Sequence, residues 1–307
     1  MIPDSTSRPI APPPRTGRRR TVRPSRRRLG GAVLVLASLV AGPALAAPGG
    51  RIVATGVATT VEGASGGGIV PWATLAGYAD RDQIGGTAWV TRVSPPDFRM
   101  DAFGATVSFS NRLELSFDRQ RFDVDSVVPG ETLEQEIFGV KARLAGDVLY
   151  TRLPQISVGA LVKRNVTPEI PEAVGARDTS GVDAYLAASK VWLAGPFGRT
   201  AFANGVVRAT RANQLGLLGF GGDREGGYSL VGEASAGLFL NRHWALGVEY
   251  RQKPDNLRFA REDDWYDVFV GWFPNKRVAL VAAWSELGSI SGLDDQGSLY
   301  LSLQLSQ

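Results

Sequence analysis

The sequence predicts an all-β protein: a closed antiparallel transmembrane β-barrel of about 14 strands, with 12 as the alternative number. Three observations predict this class. Apolar residues recur at every second position, short connections alternate with long ones, and tryptophans stand at the predicted strand ends. No run of about 18 apolar residues follows residue 47, so helical membrane spans are not expected.

Alternation with a period of two is the pattern of a strand with one apolar face. It is clear in 113–118, 156–163, 244–251 and 299–306, where leucine, valine or aromatic residues alternate with small or polar ones. The predicted strands are 51–60, 71–78, 85–93, 98–109, 112–122, 137–145, 155–164, 183–193, 200–212, 229–240, 243–252, 264–273, 277–285 and 298–306. An even number suits a bacterial barrel.

The connections between these strands alternate in length. If the first strand starts in the periplasm, short turns such as Ser110-Asn111 and Asn241-Arg242 fall on the periplasmic side. The opposite side receives 61–70, 123–136, 165–182, 213–228, 253–263 and 286–297. Short periplasmic turns and long outer loops are typical of outer-membrane barrels. We therefore expect the bacterial outer membrane as the location.

Tryptophan positions support the same architecture. An indole ring has an apolar body and a polar N–H, which suits the boundary between lipid and water. The predicted interface aromatics are Trp72, Trp192, Trp244, Trp265, Trp272 and Trp284. The alternative is a soluble β-sandwich whose tryptophans lie in the core.

The chain divides into two predicted segments. Residues 1–46 form a signal peptide with an Arg/Pro-rich extension, and residues 47–307 form the barrel. The first segment carries nine arginines and one acid, followed by a short apolar run and the small-x-small pattern Ala44-Leu45-Ala46. It contributes +8 to a net charge of +4, so the remaining chain is acidic and a nucleic-acid partner is not expected.

The composition argues against most catalytic chemistry. The chain has no cysteine and one histidine, His243, which follows a predicted turn at the periplasmic rim. We therefore expect no enzymatic activity, no cofactor and no metal, with an outer-membrane lipid-modifying enzyme as a remote alternative. The acidic groups 262–264 and 294–295 are read as solvated loop charge.

Charged residues on the polar face of the predicted strands should point inward, because charge facing lipid is costly. The predicted lumen residues are Glu114, Asp118, Lys141, Arg143, Lys163, Lys190, Arg208, Glu233, Glu249, Arg251 and Asp267. Six bases and five acids nearly balance. Two interpretations stay open: a water-filled path with selective charges, or a paired network that fills the lumen.

Several segments resemble a proteobacterial family catalogued only as a domain of unknown function. They are 208–224, 249–257, 272–276, 66–72 and 81–84. The resemblance spans nearly the whole chain after residue 47. It implies an outer-membrane β-barrel and supplies no reaction, substrate or catalytic residue.

Two of these segments fall on predicted outer loops, where a rigid scaffold often carries functional groups. With Arg208 and Arg251, the residues Arg211, Asn213, Arg224, Lys253, Asp255 and Asn256 form a predicted polar cluster at the outer mouth. This cluster either binds a ligand or closes and rigidifies the barrel.

The predicted function is a pore or solute-uptake channel of unknown substrate. The alternative is a non-conducting structural or interaction barrel with a plugged lumen. The expected partners are outer-membrane lipid, lipopolysaccharide, the barrel-assembly machinery and a small solute.

Overall fold

The alternating segments of the sequence become strands in the computed structural model, which describes residues 58–307. The strands are β1 (Ile84–Ser94), β2 (Arg99–Phe109), β3 (Leu113–Asp123), β4 (Thr132–Ala145), β5 (Gln155–Asn165), β6 (Ser180–Trp192), β7 (Ala201–Thr210), β8 (Ser229–Phe239), β9 (Trp244–Arg251), β10 (Trp265–Trp272), β11 (Val278–Glu286) and β12 (Gly297–Ser306). One short helix, α1 (Glu169–Ala173), and two 3₁₀ turns, Pro196–Gly198 and Gln214–Gly216, lie in the connections.

The strands form one closed sheet in which each strand pairs with its sequence neighbours. Closure comes from β1 and β12, which run antiparallel with Thr87 opposite Ser306 and Ser94 opposite Leu299. A closed sheet has no free edge, so the backbone N–H and C=O groups of the wall are paired within it. The barrel predicted from the sequence is therefore confirmed, with 12 strands.

The outer surface of this barrel is apolar. Leu301 is 48% exposed, and Val268, Leu246 and Val162 project from the wall in the same way. Polar residues at the alternate positions, such as Ser302, are buried inside. This pattern is the reverse of a soluble protein and fits a barrel surrounded by lipid. The protein is an outer-membrane β-barrel.

The two ends of the barrel differ in loop length. One end has the connections 110–112, 146–154, 193–200, 240–243 and 273–277. The other has 95–98, 124–131, 166–179, 211–228, 252–264 and 287–296. We assign the end with the 14- and 18-residue connections as the outer end and the other as periplasmic. The outer loop after β3 is shorter than predicted because β4 begins at Thr132 rather than at 137.

Two predicted strands are not in the wall. Segment 71–78 lies inside the barrel, because β1 already pairs with β12 and leaves no position for it. Only residues 58–60 of the first predicted strand, 51–60, are described, and they also lie inside. The predicted signal peptide, 1–46, lies outside the described residues. Within residues 58–307, no helix is long and apolar enough to cross a membrane.

The apolar exterior predicts the effect of placing a charge there. Leu301 is the fifth of the ten residues of β12 and faces outward. Leu301→Arg is expected to lower the free energy of unfolding from lipid vesicles by roughly 2–4 kcal/mol, because the guanidinium enters hydrocarbon near the membrane midplane. Urea titration monitored by heat-modifiable gel mobility measures this change. The uncharged control Leu301→Met should unfold close to the wild-type midpoint; equal midpoints for all three proteins would contradict a lipid-facing position.

Candidate functional site

The lumen of the barrel is occupied by the chain's own residues 58–79, which we call the plug. All but three of its residues are buried, and it contains no named helix or strand. Two isolated bridges, Thr59 with Ser65 and Gly66 with Pro71, fold it back on itself. Tyr78 and Gly86 both donate backbone hydrogen bonds to the carbonyl of Gln307, which fixes the exit of the plug at the periplasmic end of the wall.

Wall side chains satisfy the backbone amides of the plug. Glu114 accepts from the N–H groups of Ser65 and Ala76, at 3.1 and 2.8 Å. Glu249 accepts from the N–H of Ile69 at 2.8 Å. A buried amide without a partner costs roughly 1–3 kcal/mol, so these carboxylates replace the partners that a regular strand would have supplied.

Other wall side chains donate to the carbonyls of the plug. The carbonyl of Ala73 accepts from the Ser157 hydroxyl at 2.6 Å, and that of Val61 accepts from the Gln120 amide at 2.7 Å. Lys141 Nζ donates to the carbonyls of Ser65 and Thr74, at 2.9 and 2.8 Å. The plug is thus bonded to the wall mainly through its main chain.

Five consecutive strands each contribute one charged side chain to a ring near the outer half of the lumen. In strand order β5 to β9 the signs alternate: Lys163, Asp183, Arg208, Glu233 and Arg251. Lys163 lies 2.6 Å from Asp183, and Arg208 Nε lies 2.5 Å from Glu233. The wall ring therefore holds three cations and two carboxylates, an excess of one positive charge.

Glu62 of the plug supplies the missing negative charge. Its carboxylate pairs with Lys163, with Arg208 at 3.3 Å and with Arg251 at 2.5 Å, and Glu62 is only 1% exposed. Buried charges are tolerated when they are paired and hydrogen-bonded. Together with Glu62, the ring is electrically balanced, and the same contacts hold the plug to three different strands.

The structure places most of the predicted lumen residues inside. Glu114, Asp118, Lys141, Arg143, Lys163, Arg208, Glu233, Glu249, Arg251 and Asp267 all point inward, with Arg143 only half-buried near the periplasmic end. The expectation for Lys190 is wrong. Lys190 lies an even number of positions from Val182, Leu186 and Trp192, so it is on the same outward face of β6. Its Nζ donates a hydrogen bond to the carbonyl of Thr151 outside the lumen.

Four of the predicted interface tryptophans lie at the surface near strand ends: Trp192, Trp244, Trp272 and Trp284. The expectation is wrong for the other two. Trp72 belongs to the plug and donates through Nε1 to the Ser235 hydroxyl at 3.0 Å. Trp265 is buried because its parity on β10 points it into the barrel, where Lys253 Nζ lies 4.5 Å from its ring centroid.

The outer mouth is covered by the loop 211–228, which folds into the barrel. Leu215 and Phe220 of this loop are buried, and Leu215 has a positive φ of 62° within the 3₁₀ turn. The carbonyl of Leu215 accepts from Lys163 Nζ at 3.0 Å and from the Gln135 amide at 3.3 Å. The same lysine therefore holds both the plug and the outer loop.

Of the predicted mouth cluster, Arg208 and Arg251 belong to the charged ring inside the barrel, and the other six residues make their hydrogen bonds and ion pairs among the outer loops. Asn256 donates to the carbonyl of Arg211 and to Asn213 Oδ1, at 3.2 and 3.0 Å. Arg224 pairs with Asp255 at the surface. These contacts join loop 211–228 to loop 252–264.

Beneath this junction Lys253 is buried against Glu262, with Nζ 3.0 Å from the carboxylate. Burial lowers the pKa of Lys253 and raises the pKa of Glu262, and in each case the opposite charge of the partner acts against the shift. Glu262 also accepts from the N–H of Gln214, so this ion pair fixes the inserted loop. Among residues 58–307, no group of three or more histidine or acidic side chains is arranged to hold a metal ion.

A cavity of about 690 Å³ opens at the periplasmic end. Arg112, Arg143 and Asp147 line it, and Thr74 of the plug forms part of its wall. We call this cavity the vestibule. It ends against the plug.

Sequence reasoning missed Glu62 and Asp183 as members of the charged ring. Asp183 was detectable, because it shares the inward parity of Tyr185 on β6. Glu62 was not, because it belongs to a segment read as an outer loop. The glycines that follow it have a structural reason: a Cβ at Gly66 would lie 2.3 Å from the carbonyl oxygen of Val70, so the tight fold of the plug requires glycine at this position.

The ring predicts how the plug responds to loss of one charge. Glu62→Gln leaves three buried cations with two carboxylates, and breaking a buried pair costs roughly 3–5 kcal/mol. We expect the free energy of opening of the plug to fall by about this amount, so that amide hydrogen exchange of residues 58–79 becomes faster. Asp267→Asn is the matched control, because Asp267 is a buried lumen carboxylate without an ion-pair partner among the described residues. Equal protection of the plug in both variants would contradict the role of Glu62.

The barrel is similar in outline to several solved outer-membrane proteins. A KdgM porin in complex with disordered oligogalacturonate is 9% identical, with a TM-score of 0.46 over 71% of this chain and 98% of the porin. A NanC porin is 10% identical, with a TM-score of 0.44 over 72% and 98%. The outer membrane protein Omp33 of Acinetobacter baumannii is 10% identical, with a TM-score of 0.41 over 74% and 99%. Likenesses this remote carry no information about cargo.

No curated protein matches the sequence. A family model described as a protein of unknown function, DUF3034, matches residues 55–304. The match covers the plug from residue 58 onward and nearly all of the barrel wall. With the plug, the charged ring and the closed twelve-stranded wall inside its bounds, the chain belongs to the DUF3034 family.

Proposed function

We propose that the protein is an outer-membrane channel whose pathway is closed at rest by its plug, so that conduction requires the plug to move. The observation that carries this proposal is the charged ring, in which five wall side chains with one excess positive charge are neutralised by Glu62 from a separate segment.

The burial of the lumen supports a closed resting state. An open aqueous pore leaves the inward side chains of its wall in contact with water. Here many inward residues around the barrel, including Gln135, Asp183, Ser298 and Gln304, are almost completely buried. The plug from one side and loop 211–228 from the other both contribute to this closure.

The nature of the contacts supports a plug that is able to leave. Apolar plug residues such as Val61 and Ile69 pack in one buried cluster with wall residues such as Phe202. The remaining contacts of the plug are hydrogen bonds and ion pairs to polar wall groups, and water is able to replace each of these polar partners. Removing the plug would leave a polar, charged lining of the kind that selects solutes in channels. The vestibule beside Thr74 is the expected point of entry or exit for a small solute on the periplasmic side.

We assign no catalytic role to His243. His243, the sole histidine, has both ring nitrogens engaged: Nδ1 lies 2.8 Å from the carbonyl of Phe273, and Nε2 lies 2.9 Å from Arg242 Nε. A general base needs a free nitrogen beside a nucleophile. The environment of His243 supports a structural role at the periplasmic rim.

The second candidate function is a non-conducting structural barrel. The observation in its favour is the number of strands whose side chains form hydrogen bonds with the plug, namely β3, β4, β5, β7 and β9. Conductance separates the two functions.

In planar bilayers, the full-length mature chain is expected to show no steady conductance, and Glu62→Gln is expected to open. If the substitution removes roughly 3–5 kcal/mol of plug binding, the open population rises about a hundredfold or more. Single-channel recording measures this change. The Asp267→Asn control should stay closed.

A disulfide bond that joins the plug to the wall reversibly completes this test. Ser189 Oγ lies 2.8 Å from the N–H nitrogen of Ala73, so Ala73→Cys with Ser189→Cys places two thiols close together. The chain has no other cysteine. In the Glu62→Gln background, openings should be present under reducing conditions and absent after oxidation, whereas Ser189→Cys alone should not respond. Silence of every variant would favour the structural barrel, and equal conductance of wild type and Glu62→Gln would refute closure by the plug.

A further inference from the structure

Charged side chains interrupt the apolar exterior on one side of the barrel. Leu115 and Phe117 project outward on β3, and the same face continues as Arg119 and Arg121. On β4 the outward residues Glu134 and Glu136 stand next, and on β5 Arg164 follows the exposed Val162. We call Arg119, Arg121, Arg164, Glu134 and Glu136 the arginine patch. It lies toward the outer end of the wall.

The charges of the arginine patch extend farther toward the membrane midplane than the polar residues at the outer end of the barrel do on its opposite side. On β3 its charges begin at Arg119, four residues below the outer end of the strand. On β10 and β12, by contrast, Tyr266 and Leu299 are exposed within the last three residues of the outer end. An arginine that faces lipid is destabilising at the membrane midplane and nearly neutral close to the interface. The patch therefore needs a polar environment where the other side of the barrel meets lipid chains.

The charges within the patch are unequal in number. Glu134 pairs with Arg119 and with Arg121, the latter at 3.0 Å. Glu136 pairs with Arg119 at 2.8 Å and with Arg164 at 3.0 Å. Three arginines share two glutamates, so one positive charge is left without a counter-charge inside the patch.

The positive and negative side chains of the arginine patch also differ in how exposed they are. The side chains of Arg121 and Arg164 are 58% and 67% exposed, whereas those of Glu134 and Glu136 are 20% and 18% exposed. The carboxylates lie beneath the guanidinium groups and hold them against the wall. What the patch presents outward is cationic, and the planar guanidinium fork matches the oxygens of a phosphate group.

Phosphate in the outer leaflet of this membrane is carried by lipopolysaccharide. We propose that the arginine patch binds the phosphorylated lipid A headgroup of lipopolysaccharide. The acyl chains then lie along the apolar residues directly below, Leu115, Phe117 and Phe138, which are exposed on the same faces. A phosphate near Arg121 and Arg164 supplies the missing negative charge and removes the need for water at this depth.

The neighbouring charged pairs do not share this imbalance. Arg92 pairs with Asp101 at 2.6 Å and Arg99 with Asp123 at 3.3 Å, one cation to one carboxylate. They extend the polar rim over β1 and β2 without adding net charge. The phosphate site is therefore centred on β3 to β5.

The test uses the full mature chain, purified free of lipopolysaccharide in neutral detergent. Three amphiphiles are added in turn: bisphosphorylated lipid A, the same lipid with both phosphates removed, and phosphatidylglycerol. Heat-modifiable gel mobility gives the unfolding temperature at each concentration. We expect bisphosphorylated lipid A to raise this temperature and the dephosphorylated lipid to have little effect.

Arg121→Gln with Arg164→Gln should weaken the apparent affinity for bisphosphorylated lipid A by about tenfold or more, because the two most exposed guanidinium groups lose their charge-assisted hydrogen bonds to the phosphates. Lys190→Gln is the control, since it removes an outward-facing charge at the periplasmic end of β6. If the double variant does not fold, Arg164→Lys keeps the charge, loses the fork and should weaken binding by a smaller factor.

Equal stabilisation by bisphosphorylated and dephosphorylated lipid A would overturn the proposal, because the headgroup phosphates would then contribute nothing. An equal effect of phosphatidylglycerol would also overturn it, since any anionic lipid would then serve. Unchanged affinity in the arginine variants would mean that the patch is only a charged rim.

Discussion

Every part of this structure depends on one constraint: a backbone N–H or C=O group removed from water needs a hydrogen-bond partner. In the wall, the sheet provides the partners, and pairing of β1 with β12 removes the last free edge. In the plug, no sheet is present, and wall side chains such as Glu114, Gln120 and Ser157 provide them instead. The polar inner face is thus a binding surface for an irregular segment of main chain.

Charge balance determines where the plug is held most firmly. The alternating signs on β5 to β9 place each cation beside a carboxylate, yet five positions of alternating sign cannot be neutral. Glu62 completes the set from the plug, and Lys163 also bonds to the carbonyl of Leu215 in the inserted outer loop. One lysine therefore connects the wall, the plug and the cover of the mouth.

The inside and the outside of the wall apply the same electrostatic principle in different surroundings. Inside, an unequal number of charges is neutralised by the chain itself. On the exterior of β3 to β5, three arginines share two glutamates, and the side chains that remain exposed are the cationic ones. The difference is that the plug and the inserted loop occupy the space inside the wall, whereas the exterior faces the lipids of the outer leaflet.

The sequence by itself determined the class of fold, the faces of most strands and the order of short and long connections, because alternation and turn composition are local properties. Alternation along each strand also predicted ten of the lumen residues. The same alternation should have excluded Lys190 from the lumen, because it lies an even number of positions from the outward Trp192, and Trp265 from the surface, because it lies two positions from the inward Asp267. Only the tertiary structure decided that segment 71–78 fills the lumen and that Glu62 meets Lys163, Arg208 and Arg251. These contacts join residues separated by 101 to 189 positions in the chain, and they exist only because closing twelve strands leaves a space that the preceding segment is able to fill.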